Sequence, residues 1–242
     1  MKAASLYSSF PYVALGILIV GLLIRYLVAL RKPETVSAKA REALDLLAGG
    51  RLWQASLALL FIFHLAGLLF PRFIMNWNAG RTGLYSLEGF AFLLGLAALV
   101  GGLITVGRNL GRSGPSLIVE ISDTAFLALL LTGILSGLLM AVTHRWGSTW
   151  GAMILTPYVM SLLQGNPEPS LMTDMPFLVR LHVFSSFAAL AVLPATRLAS
   201  VPVLALYRTI TLMGRPLAAA ARMVDGWIRR HNPAGRIWPE ED

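Results

Sequence analysis

Two histidines lie inside long apolar runs of this 242-residue chain, His64 in LWQASLALLFIFHLAGLLF and His182 in PFLVRLHVFSSFAALAVLPATRL. An ionisable side chain at membrane depth costs several kcal/mol unless something compensates it, so each marks a candidate functional site. Imidazole nitrogens bind metals, and two of them on separate helices suggest a metal centre. The chain has no cysteine, which excludes disulfides, cysteine-bound iron–sulfur clusters and thiol catalysis. His144, in AVTHRWGS, could ligate or shuttle a proton, or be a wet interfacial side chain; His231 reads as solvated in a basic tail. No nucleotide-binding loop or nucleophile–base pair is present.

The elements that must hold these histidines are membrane helices. The chain is 56% hydrophobic and 13% charged, with a mean hydropathy of +0.69. Soluble domains carry about 25% charged residues. The deficit, with repeated apolar runs, predicts an all-α polytopic membrane protein with five spans. The runs cover about 12–30, 52–70, 84–106, 117–142 and 176–200. The first is too long for a signal-peptide core and lacks a cleavage site, so it reads as a retained span. Between spans one and two, SAKAREALDLLAGG predicts a short amphipathic helix stopped by Gly49 and Gly50. Span three carries Gly89, Gly95, Gly101 and Gly102, and span four spaces Gly133 and Gly137 as GxxxG, residues that allow close helix approach. In the segment from His144 to Asp174, WGAMILTPYVMSLL could lie flat at the interface, with Trp146 and Trp150 in the aromatic belt. Span five is expected to be capped by Thr173 or Asp174, with Pro176 in its first turn.

Basic residues set the orientation. Arg31, Lys32, Lys39, Arg41, Arg51, Arg108, Arg112 and the tail arginines, among them Arg208, Arg215, Arg222 and Arg236, fall on one side; Lys2, Arg72, Arg81, Arg145 and Arg180 fall on the other. The positive-inside rule then puts the N-terminus outside and the C-terminus in the cytoplasm. It also accounts for the net charge of +8 without nucleic acid. Residues 1–201 form the membrane domain and 202–242 a basic cytoplasmic tail, ending in PEED, suited to a cytoplasmic partner or to anionic lipid.

In this topology His64 lies about seven residues, roughly 10 Å, below the outer end of span two, and His182 about eight residues, roughly 12 Å, below that of span five. Imidazoles at matching depth on two helices are what bis-histidine haem ligation needs. The alternative is that each histidine only hydrogen-bonds a neighbouring helix. Ala66, Gly67, Ser185 and Ser186 are small enough to leave room for a macrocycle, and Arg72 and Arg180 at the outer rim could pair with haem propionates.

The segments FPYVALGILIVGLLIRY, LALLFIFHLAGLLFPRF and FLVRLHVFSSFAALAVLPATRLASVPV resemble the gamma subunit, the membrane cytochrome b, of respiratory nitrate reductase. The resemblance covers nearly the whole chain and is best in spans one, two and five. It implies a haem b subunit of the cell inner membrane that oxidises quinol from the quinone pool. Electrons would pass to an iron–sulfur subunit and on to a molybdenum catalytic subunit, so that this chain is not a complete enzyme alone. In that family spans two and five each carry two histidines and bind two haems. Here the second positions fall near Gln54 and near Ala199 or Ser200, so one haem is expected, held by His64 and His182, and the inner one is expected to be absent. An outer haem leaves roughly 20 Å of a core about 30 Å thick to the cytoplasmic face.

A quinol site would need an apolar crevice with a few proton-accepting groups. Arg81, Tyr85 and Glu88 open span three on the right side and share a helix face; Tyr85 could bond a quinone oxygen and Glu88 could take a proton. An Arg81–Glu88 structural pair is the plainer reading, and the family's quinol-site lysine has no evident match. Glu120 and Asp123 open span four, where carboxylates favour a helix N-terminus, and are assigned no chemistry. The competing function is a structural anchor or transport-type subunit without haem.

Overall fold

The structure is a computed structural model that describes residues 2–46, 50–109, 117–144 and 147–231. Gly49, Arg112, Arg145, Trp146, Arg236 and the final acidic residues, named above, lie outside these. Among the described residues there is no strand. Five helices are long and apolar enough to cross a membrane. They belong to α1 (Lys2–Leu30), α3 (Arg51–Leu69), α5 (Arg81–Asn109), α6 (Leu117–Thr143) and α10 (Phe177–Val192), the last running on to Ala195. Between them lie α2 (Glu34–Leu46), α4 (Pro71–Asn78), α7 (Gly147–Trp150), α8 (Thr156–Leu163) and α9 (Ser170–Thr173), with α11 (Ser200–His231) at the end. We call the face where α1 begins the N-face and the opposite one the C-face.

The spans pack as a series. α3 lies against α5, α5 against α6, α6 most extensively against α10, and α10 against α1. α3 and α10 do not pack extensively on each other, which leaves a gap between these two helices. Small residues set the spacing elsewhere. Trp53 of α3 is fully buried against α5, and a Cβ at Gly101 would fall 2.5 Å from the Trp53 Cβ, closer than atoms approach.

At the N-face, α7, a π-helical turn (Gly151–Leu155) and α8 form the helical segment expected near WGAMILTPYVMSLL. It is more than an interfacial float. Tyr158 is fully buried and donates to the Tyr7 carbonyl at 2.7 Å, and it packs with Leu162, Met172 and Val183 in one core cluster. The segment touches both α1 and α3 and so roofs the gap.

Several boundaries differ from the sequence reading. The first helix begins ahead of Tyr12, because Pro11 is accommodated inside α1. Thr173 and Asp174 belong to α9 and its C-cap, and Pro176 itself is the N-cap of α10, since its fixed φ and extended ψ turn the chain into the helix. Span five does not reach residue 200. After Ala195 the chain extends at Thr196, makes a 3-10 turn at Arg197–Ala199 and restarts as α11, so residue 201 falls inside a helix. Asp123 fixes this break: its carboxylate accepts from the Arg197 backbone N–H at 3.0 Å and from Nε at 2.6 Å.

The amphipathic α2 forms as expected and packs on α11 and on the Arg197–Ala199 turn, burying Val36, Ala40 and Ala43. Gly50, at φ 99°, begins α3 in a conformation that side chains rarely adopt.

Candidate functional site

His64 and His182 face each other across the gap between α3 and α10. Their ring centres are 5.8 Å apart and their planes differ by 20°. Five residues separate His64 from the end of α3 at Leu69, and five separate His182 from the start of α10 at Phe177, about 8 Å of helix in each case. The two rings are therefore level with one another, near the N-face.

Each ring is fixed through the same nitrogen. His64 Nδ1 lies 2.7 Å from the Leu60 carbonyl, one turn earlier in α3. His182 Nδ1 lies 2.8 Å from the Gly133 carbonyl of α6, with Ser136 Oγ at 3.3 Å. A carbonyl only accepts, so Nδ1 carries the proton in both and Nε2 keeps its lone pair. That is the tautomer in which metal-bound histidines are held by their surroundings.

The GxxxG pair of α6 acquires a specific role here. Gly133 supplies the carbonyl, and a Cβ at Gly137 would lie 3.3 Å from His182 Cε1. Ser185 and Ser186 both donate to the His182 carbonyl, at 3.0 and 2.8 Å. Beside His64 there is more room: a Cβ at Gly67 would meet nothing within 4 Å. The Gly67 carbonyl accepts from Thr156 of the roof at 3.2 Å, which ties α3 to α8 one turn beyond His64. His182 is half-buried, whereas His64 is exposed, since α3 packs on α5 and leaves its other side open.

The ring spacing can be set against that of two imidazoles opposed across one metal ion. An imidazole nitrogen sits about 2 Å from a transition metal and the ring centre about 1 Å beyond, so rings opposed across one ion have centres about 6 Å apart. The observed spacing is 5.8 Å. Among the described residues no group of three or more His, Cys, Asp or Glu could hold a metal ion. Two nitrogens leave the remaining positions of a metal to be filled by another group, as a macrocycle would fill them.

The arginines are placed elsewhere. Arg72 is exposed on α4. Arg180, two residues before His182, projects about 200° around α10 from it. Its Nε is buried without a hydrogen-bond partner, and the residue lines a cavity of about 280 Å³ with Leu6, Tyr7, Phe177, Leu181 and Phe184.

The three residues at the start of α5 do not converge. Tyr85 is 63% exposed, and Arg81 is exposed with no ion pair to Glu88. The Glu88 carboxylate instead accepts from the Ser148 backbone N–H at 2.8 Å and hydroxyl at 2.6 Å. Asn78 donates to Ser148 Oγ and Thr149 Oγ1, completing a polar latch between α4, α5 and α7. His144 stays local, with Nδ1 2.6 Å from Thr143 Oγ1 and its ring 6.0 Å from that of Trp150.

At the C-face the positions opposite the histidine pair are engaged in protein contacts. Gln54 Nε2 donates to the Leu44 carbonyl at 3.4 Å, Ala199 is fully buried, and Ser200 Oγ lies 2.6 Å from the Arg197 carbonyl and 3.2 Å from that of Lys39.

No single curated protein matches the chain. The model of the family described as nitrate reductase gamma subunit matches residues 3–215, which takes in all five spans and the histidine pair. A membrane subunit of a nitrate reductase-type complex is what that family describes, and by this match the chain belongs to the nitrate reductase gamma-subunit family.

Proposed function

We propose that His64 and His182 hold one haem b between α3 and α10, and that the subunit draws electrons from quinol for the catalytic and iron–sulfur subunits of a nitrate reductase-like complex. One observation carries this reading. Two imidazoles stand 5.8 Å apart, each with Nδ1 tied to a main-chain carbonyl, across a gap between helices that otherwise do not pack extensively. Both bonds are made through Nδ1, which leaves Nε2 of each ring to bind a metal.

When bound, the haem supplies one-electron transfer. The chain's own residues do the rest. Leu60 and Gly133 hold the rings in the ligating tautomer. The start of α5 is the proposed quinol face, where Tyr85 is exposed and Glu88, a carboxylate held by Ser148, would take up a proton. The propionate role considered for Arg72 and Arg180 draws no support from their positions. In the proposed orientation the N-face is outside the cytoplasmic membrane and the C-terminus inside, with one haem per chain, because Gln54, Ala199 and Ser200 serve α2 and the turn before α11.

The visible spectrum of the purified protein tests this. Soret and alpha bands of a haem b, lost in His64→Ala and in His182→Ala, with a pyridine haemochrome value near one per chain, are expected. A protein without those bands would be a haem-free anchor, and a value of two would overturn the single-haem reading.

A further inference from the structure

We infer that α11, beyond its first two turns, is an interfacial helix that lies along an anionic lipid surface at the C-face. The inference is independent of the haem. α11 begins at Ser200, five residues after span five ends at Ala195, so it starts at the membrane boundary. α11 packs on α1 and α2, with Val203 of its first turn buried.

The sequence of α11 has two lines of residues. An apolar line repeats at three- and four-residue steps from Val203 through Leu206, Ile210 and Met213 to Val224 and Trp227. Arginines stand at 208, 215, 222 and 229, one every seventh residue, which keeps them along a single ridge opposite that line. Residues 200–231 hold five arginines and one aspartate, a net charge of +4 with His231 neutral.

Described residues of the apolar line are exposed. Leu206, Ile210, Met213, Val224 and Trp227 are 43%, 46%, 68%, 57% and 58% exposed, and Arg208 and Arg222 are also exposed. A helix partner would be registered by charges flanking such a line. Here the flanks are Tyr207, Gly214, Ala221 and Ile228 on one side and Thr209, Pro216, Met223 and Arg230 on the other. Only Arg230, in the last turn, is charged, and the others widen the apolar band along most of the helix.

A band that wide suits a fluid, unpatterned surface better than a specific groove. A helix is about 10 Å across, and an interfacial one sinks its apolar face about 5–10 Å into the acyl boundary. The opposite ridge then reaches headgroup level, where arginines are complementary to anionic lipid.

The absence of cysteine makes the test direct. A nitroxide is attached to the full chain through Val224→Cys, or in a second sample through Arg222→Cys, and the protein is reconstituted in bilayers. In bilayers containing phosphatidylglycerol, the label at 224 is expected to be severalfold more accessible to oxygen than to a water-soluble nickel chelate, and the label at 222 to stay accessible to nickel. Phosphatidylcholine alone, or Gln at 208, 215, 222 and 229 behind the label at 224, should return position 224 to nickel. Equal protection of 224 in both lipids, nickel access in both, or protection that needs a bound protein partner in detergent would each overturn the inference.

Discussion

Gly137 lies against the edge of the His182 imidazole: a methyl group on its Cα would sit 3.3 Å from Cε1 and 3.5 Å from Nδ1. The α6–α10 contact is the most extensive in the bundle, so neither helix can withdraw easily, and the ring would have to move. Gly137→Ala should therefore leave a folded protein that holds haem less firmly, and Gly137→Val should lose most of it. The ratio of Soret to protein absorbance after prolonged washing in detergent measures this. An unchanged ratio in the valine variant would mean that the position of the His182 ring does not govern haem retention.

Asp123 and Arg197 give a second prediction. The carboxylate is 5% exposed and its partner 29%, inside the C-face end of the bundle. Removing one member of a fully buried pair typically costs about 3–5 kcal/mol, and the part-exposed Arg197 puts the cost here below that range. Asp123→Asn keeps a hydrogen-bond acceptor for the Arg197 backbone N–H, so it should cost less than Asp123→Ala. Thermal unfolding in detergent is expected to rank them wild type, Asn, Ala. Haem content should hold in both, since the pair lies at the other face from the histidines.

Glu88 and Ser148 provide a third test, which separates a latch from a proton acceptor. Glu88→Gln can still accept from Ser148 through its carbonyl oxygen, but it cannot take a proton. If Glu88 only fixes α7, the glutamine variant should match wild type in thermal stability and in quinol-driven haem reduction, and Glu88→Ala should lose about 1–3 kcal/mol. The proposed function expects something different: glutamine that is stable yet slower in haem reduction, with a changed pH profile. Equal rates for wild type and Glu88→Gln would remove Glu88 from the quinol site.

The five spans and the level of His64 and His182 were legible because hydropathy and helix rise are one-dimensional properties. The helix that each histidine leans on was not. His182 is held by Gly133, 49 residues away, and the only sequence signal was a GxxxG pattern too common to assign. The break after Ala195 was hidden because LPATRLAS is apolar enough to read as continuing span. Only Asp123, 74 residues earlier, shows why the chain turns there. The arginine at 180 looked usable from its depth alone; its azimuth on α10, two residues from His182, directs it toward α1 instead.

Tyr158 makes the alkaline limit of the fold predictable. Burial, with the phenols of Tyr7 and Tyr12 close by as lesser causes, raises its pKa well above the ordinary value of 10.0. Below that value both folded and unfolded chains keep the proton, and Tyr158 adds no pH dependence. Above it the unfolded chain releases the proton and the folded chain does not, so stability falls as pH rises from about 10, by at most about 1.4 kcal/mol per pH unit for this one group. Tyr158→Phe removes the titration and also the bond to the Tyr7 carbonyl, which costs about 1 kcal/mol at every pH. The variant should thus melt lower than wild type at pH 8 but lose less between pH 10 and 11, where other tyrosines and lysines contribute alike to both. Melting curves that stay parallel across that interval would show that the phenol is not held protonated by the fold, and that the roof over the histidine gap is looser than its packing implies.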